Sequence, residues 1–202
     1  MVPGPSDRPL GGTALVPRTT LGYNPEQWLD DGTILLDAHG NIASARPDEG
    51  TSRMLLEAAW ERGPSVSPDG RWLAYFSDRG GSLQLYIRSW PGLTGETQVS
   101  AGDTRLPIDN YPQWSPDSRT LYYIANDRIV AAQIRSGPGP VVESRRTLPV
   151  PLKAGAILRD IHPDGRLLIA EAQEERQGQI IVVANWFTEL KNRLGVSPAR
   201  GR

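Results

Sequence analysis

Val66-Ser67-Pro68-Asp69-Gly70-Arg71-Trp72-Leu73-Ala74-Tyr75-Phe76 reads as a tight turn feeding directly into a strand. Proline presets φ for the first turn position, aspartate bonds back to the turn backbone, and glycine tolerates the left-handed geometry that follows. The run after it is aromatic and apolar, as a buried strand requires. The same element returns as Trp114-Ser115-Pro116-Asp117-Ser118-Arg119 before Leu121-Tyr122-Tyr123-Ile124. It returns again as Ile161-His162-Pro163-Asp164-Gly165-Arg166 before Leu167-Leu168-Ile169-Ala170. Pro68, Pro116 and Pro163 are 48 and 47 residues apart. A degenerate copy at Asn24 to Thr33 keeps the Asp31-Gly32 turn without the proline.

Self-similarity at a period of about 40–50 residues is the mark of propeller blades, each a small antiparallel sheet that buries its faces only against its neighbours. The expected fold is all-β: a β-propeller segment of about four blades, an incomplete ring, with a short C-terminal helix. The expected divisions are a loose segment at 1–12, repeats over 13–184 (about 24–60, 64–100, 111–148 and 156–184), a helix at 185–195 and a tail at 196–202. Thr13 to Arg18 is a candidate edge strand, because Pro17 cannot sit within a ladder. Arg53-Met54-Leu55-Leu56 suits a strand or a helix. In the C-terminal helix, Asn185 caps, Gly195 stops, and Trp186, Phe187, Leu190 and Leu194 share one face. Blade four supplies three strands before that helix, so its last edge needs cover. The expectation is an open arc that bares apolar blade faces at its N-terminal end and self-associates.

Composition excludes more than it assigns. With 22 basic and 23 acidic residues the net charge is −1, so no field recruits nucleic acid or an anionic membrane surface. The absence of cysteine removes disulfides and thiolate metal sites. No apolar run reaches the roughly 18–20 residues of a membrane helix. The opening Met1-Val2-Pro3-Gly4-Pro5-Ser6-Asp7-Arg8 lacks a signal-peptide layout and reads like a cut in a loop.

No residue is assigned a catalytic, cofactor-binding or metal-ligating role. Asp69, Asp117 and Asp164 recur in one local context, which makes them turn formers before calcium or substrate ligands. His39 lies in a turn and His162 replaces the serine of the other repeats; no Gly-x-Ser-x-Gly or His-Glu-x-x-His segment accompanies them. Trp28 and Trp114 hold equivalent places before their turns, which points to packing between blades, and Trp72 follows a turn. Trp60 and Trp90 sit near strand ends, where a binding role is harder to dismiss. Arg71, Arg119 and Arg166 recur after the turn, as solvated or salt-bridged side chains or as a ring on one face.

Ser67-Pro68-Asp69-Gly70-Arg71 with its following strand resembles the TolB-type, WD-like β-propeller repeat, over about residues 24–184. Ile180 to Leu190, with Trp186-Phe187-Thr188-Glu189-Leu190, resembles the ending of bacterial proteins in which a Ser/Thr kinase domain precedes such a propeller. That resemblance implies a sensor or interaction module for a protein or small ligand. It implies an extracytoplasmic setting if a membrane kinase tethers it, and a cytoplasmic one otherwise. No His-Arg-Asp or Asp-Phe-Gly kinase motif is present. Related propellers also precede the hydrolase domain of prolyl-oligopeptidase-type peptidases, a reading that the Trp-Phe-x-Glu-Leu ending disfavours. The expected function is non-catalytic binding. The rival is a propeller hydrolase, lyase or cyclase, which convergent His, Glu and Arg at the channel mouth would favour.

Overall fold

The computed structural model describes residues 23–101, 111–135 and 137–171, and the backbone of 179–183. Four antiparallel sheets follow one another along the chain. The first holds β1 (Asn24–Trp28), β2 (Ile34–Asp37), β3 (Ile42–Arg46) and β4 (Thr51–Leu56). The second holds β5 (Glu61–Val66), β6 (Trp72–Ser77), β7 (Gln84–Ser89) and β8 (Thr97–Gln98). The third holds β9 (Gln113–Trp114), β10 (Thr120–Ala125), β11 (Arg128–Arg135) and β12 (Val141–Pro151). The fourth holds β13 (Ile157–Ile161), β14 (Leu167–Glu171) and β15 (Gln179–Val183). Arg53 to Leu56 is therefore strand, paired with β3. Each sheet is a meander, and the first strands β1, β5, β9 and β13 touch in sequence order. This is a partial β-propeller, all-β as expected. The candidate strand at 13–18 and the candidate helix at 185–195 lie outside the described residues.

Strand alternation builds the interfaces between blades. Along β6, Leu73 and Tyr75 join the core shared with the first blade, while Trp72, Ala74 and Phe76 join the core shared with the third. Along β10, Leu121 and Tyr123 face back to blade two, and Tyr122 and Ile124 face forward to blade four. A period of two along a strand sends neighbours to opposite faces, so every central strand is apolar on both. Each such side chain contributes roughly 1.5–3 kcal/mol by leaving water.

The repeated turns share one hydrogen-bond scheme. Asp Oδ1 accepts the amide two residues on: Thr33 to Asp31 at 2.9 Å, Arg71 to Asp69 at 3.2 Å, Arg119 to Asp117 at 3.1 Å and Arg166 to Asp164 at 3.1 Å. The residue between adopts positive φ: Gly32, Gly70 and Gly165, with Ser118 at 60° as the exception. The degenerate first copy thus folds as the others do. Loop length separates two classes. Val66 pairs with Leu73 and Trp114 with Leu121, whereas Trp28 pairs with Ile34 and Ile161 with Leu167, one residue closer. The longer loops are those with serine. Ser67 Oγ accepts the Trp72 amide at 3.0 Å and donates to Asp69 Oδ1 at 2.6 Å; Ser115 does the same with Thr120 at 2.8 Å and Asp117 at 2.6 Å. The hydroxyl satisfies the amide that the extra residue displaces from the ladder.

The equivalence of Trp28 and Trp114 holds in register and fails in burial. Trp114 is 7% exposed and donates from Nε1 to the Ser65 carbonyl at 3.1 Å, fastening blade three to blade two. Trp28 is 69% exposed, so the expectation that it packs between blades is corrected. Among the described residues no blade precedes it. The middle of the same sheet is nonetheless covered: Leu36, Ala38, Ala43 and Ala45 are all buried. The expectation of a bare apolar face at the N-terminal end therefore applies to Trp28 and not to that sheet's centre.

Candidate functional site

The innermost strands converge on one cavity of about 220 Å³, lined from all four blades. Two residues before the residue that opens each turn hairpin (Trp28, Val66, Trp114, Ile161) stand Glu26, Pro64, Pro112 and Arg159, and all four line it. Three of these positions lie in β-bulges. The β1–β2 register shifts between Pro25 and Gln27, leaving Glu26 extra; β13–β14 shifts between Leu158 and Asp160, leaving Arg159 extra; β5–β6 shifts between Arg62 and Ser65. A bulge releases a residue from the ladder and re-aims its side chain. Two blades thus present prolines to the channel, and two present opposite charges.

Neighbouring side chains fix this lining. Gln27 accepts the Val66 amide at 2.6 Å and donates to the Val66 carbonyl at 3.1 Å, joining β1 to β5 as a strand would. Arg62 lies over the Trp60 ring at 5.1 Å and the Tyr111 ring at 5.9 Å, with Nε 3.9 Å from Asp37 Oδ2. Two glycines permit that stack. A Cβ on Gly63, whose φ is +63, would stand 2.7 Å from Tyr111 Cδ1, and one on Gly40 would stand 2.2 Å from Trp60 Cδ1.

The electrostatics follow from partial burial. Glu26 is pushed up to about 7, first by burial and then by the Asp37 carboxylate; Tyr111, Arg62 and Arg159 pull it back part of the way. Burial likewise raises the Tyr111 phenol, against Arg62. Among the described residues neither Glu26 nor Arg159 is in an ion pair, with the other or with anything else.

The residues singled out in the sequence are spent differently. Asp69, Asp117 and Asp164 are occupied by their own turns, and Asp164 is held at about 2, chiefly by the Arg166 side chain 2.8 Å away. Among the described residues no three His, Cys, Asp or Glu side chains gather as a metal would require. His162 Nδ1 sits 2.8 Å from Asp164 Oδ1, where serine sits in the longer loops. His39, at φ 54°, turns between β2 and β3, at the opposite end of its blade from the Asp-Gly turns, so the two histidines do not meet. Arg166 pairs with Asp164, Arg71 lies over Trp72 at 5.4 Å, and Arg119 is exposed. Trp60 frames Arg62, and Trp90 packs on the core between blades one and two. Glu26, Arg62, Tyr111 and Arg159 escaped sequence reasoning. Aligning the repeats two residues before Trp28, Val66, Trp114 and Ile161 picks out Glu26 and Arg159, because proline stands there in the two regular copies.

No family model and no curated protein matches the chain. Solved structures do resemble it. The putative TolB from Agrobacterium tumefaciens is similar at a TM-score of 0.52 and 19% identity, covering 63% of this chain and 49% of that one. The nidogen/laminin complex contains a chain similar at 0.54 and 15% identity, covering 70% and 52%. A puromycin-hydrolyzing peptidase of Mycobacterium tuberculosis is similar at 0.56 and 16% identity, covering 82% and 30%. The chain thus spans about half or less of each of these three proteins. At such identities the likeness carries the fold alone, a TolB-like β-propeller.

Proposed function

We propose that this chain is a non-catalytic β-propeller binding module, the sensor part of a larger bacterial signalling protein such as a receptor-like Ser/Thr kinase. The observation that carries the binding reading is the cavity between the first strands, to whose lining one repeat position contributes from each of four blades. A repeated scaffold with a varied inner position is how a propeller acquires a ligand site without new backbone. The recurrent aspartates support it, since their carboxylates are committed to turn geometry. The kinase association rests on the resemblance of Ile180 to Leu190, most of which lies outside the described residues. Two measurements test the proposal. The contiguous coding sequence upstream should encode a kinase domain in frame; a hydrolase domain downstream would replace this reading with the peptidase one. The purified chain should leave peptide, aminoacyl-amide and glycoside substrates unchanged.

One observation favours the enzyme reading. A glutamate raised to about 7 beside Arg62, Tyr111 and Arg159 has the form of a general acid or base. Turnover of any of those substrates that Glu26→Gln abolishes would establish it.

A further inference from the structure

Glu26 and Arg159 hold the same repeat position on blades one and four and line the same cavity from two sides. Bulges aim both inward, and each is the extra residue of its strand. Two opposite charges this placed would ordinarily close into an ion pair; here they do not meet, and their interaction is through space. The other two equivalent positions are prolines, which offer apolar walls and no competing side-chain donor. The cavity, about 220 Å³, is below the roughly 300–1,000 Å³ that drug-sized ligands occupy. What completes such a site is a small molecule carrying a cation at one end and an anion at the other.

We propose that the channel binds a small zwitterion, its ammonium group on Glu26 and its carboxylate on Arg159, with Tyr111 beside the carboxylate of Glu26. A free α-amino acid and a dipeptide share that chemistry. The inference rests on the reading of the chain as a binding module with its site in the channel. It adds the ligand class. Arg62 is held by Asp37, Trp60 and Tyr111, and acts as a fixed positive wall beside Glu26.

Binding and proton uptake are linked here. The titratable and charged groups facing Glu26 are Asp37, Arg62, Tyr111 and Arg159. With Glu26 near 7, about half the free protein carries a proton on it at pH 7, and a ligand ammonium favours the ionised form. Complex formation therefore releases about half a proton at pH 7 and tightens between pH 6 and 8.

The experiment is calorimetric titration of the full chain with alanine, Ala-Ala, N-acetylalanine and alaninamide, in two buffers of different ionisation enthalpy. Alanine or Ala-Ala is expected to saturate with proton release, the stronger of the two identifying the source. N-acetylalanine and alaninamide are each expected to bind about 10- to 100-fold more weakly, because each leaves one charge of the site unmet. Glu26→Gln and Arg159→Gln should each weaken the zwitterion by a similar factor, with melting temperatures confirming that both variants fold. Equal affinity for the blocked compounds, or no saturation by either zwitterion, would overturn the inference while leaving the module reading intact. Recovery of Ala-Ala as free alanine would overturn the non-catalytic reading itself.

Discussion

The side chain of Ser118 accepts the backbone amide of Asp69 at 2.9 Å, across 49 residues of sequence. Ser118 stands where the other three turns have glycine, and it holds the left-handed φ of 60° that the turn demands. A blade is thereby fastened to its predecessor at the turn as well as through the core. The serine accepts backbone strain in exchange for a bond glycine cannot make.

Ser118→Ala keeps the strain and removes the bond, and should cost about 1–2 kcal/mol. Ser118→Gly removes both, and the relief of roughly 1 kcal/mol should offset most of the loss. Denaturant unfolding of the two variants measures the difference. If glycine is as damaging as alanine, the left-handed φ of Ser118 carries no strain for glycine to relieve.

Trp114→Ala should cost about 3–5 kcal/mol, as truncation of a buried aromatic does. Trp28→Ala, at the equivalent strand position but 69% exposed, should cost under about 1 kcal/mol. Thermal melts of both decide it. A large loss from Trp28→Ala would mean that its ring is covered in solution.

Ser67→Ala and Ser115→Ala should each cost about 1–3 kcal/mol, because the Trp72 and Thr120 amides lose their acceptor inside buried structure. His162→Ala should cost less. Its loop is one residue shorter, and the amide that ends it, that of Arg166, is accepted by Asp164 Oδ1 at 3.1 Å and not by the side chain at 162. Equal losses at Ser67 and His162 would refute the two-class account of these loops.

The turns were legible because their chemistry is local. Proline, aspartate and glycine at fixed offsets determine the backbone there, so the register of β5–β6 and β9–β10 follows from a few adjacent residues. Trp28 was misread because its burial depends on what lies against it, while its position in the repeat does not. The channel was hidden for a different reason. Glu26 and Arg159 interrupt the alternation of their strands through bulges, and in strands of five residues too few positions flank the bulge for the shift of phase to be read. Only the pairing partners on β2 and β14 reveal which residue is extra. Arg62 and Tyr111 reach the site because Gly63 lets the ring approach, a contact between segments 48 residues apart.

Glu26 makes a signed prediction for stability against pH. Its value rises from an ordinary 4.5 to about 7 in the folded chain, mainly through burial. Between those values the folded state keeps a proton that the unfolded state has released, so stability falls as pH rises. Below about 4.5 both states are protonated and the contribution is level; above about 7 both are ionised and the penalty is complete. Partial exposure screens the group, so the penalty is on the order of 1 kcal/mol. Glu26→Gln removes it without changing shape. The difference in melting temperature between Glu26→Gln and the parent chain should therefore be small near pH 4 and move in favour of the variant up to pH 8. Parallel pH profiles would show that the glutamate is solvated like any surface carboxylate, and that the channel does not desolvate what it holds.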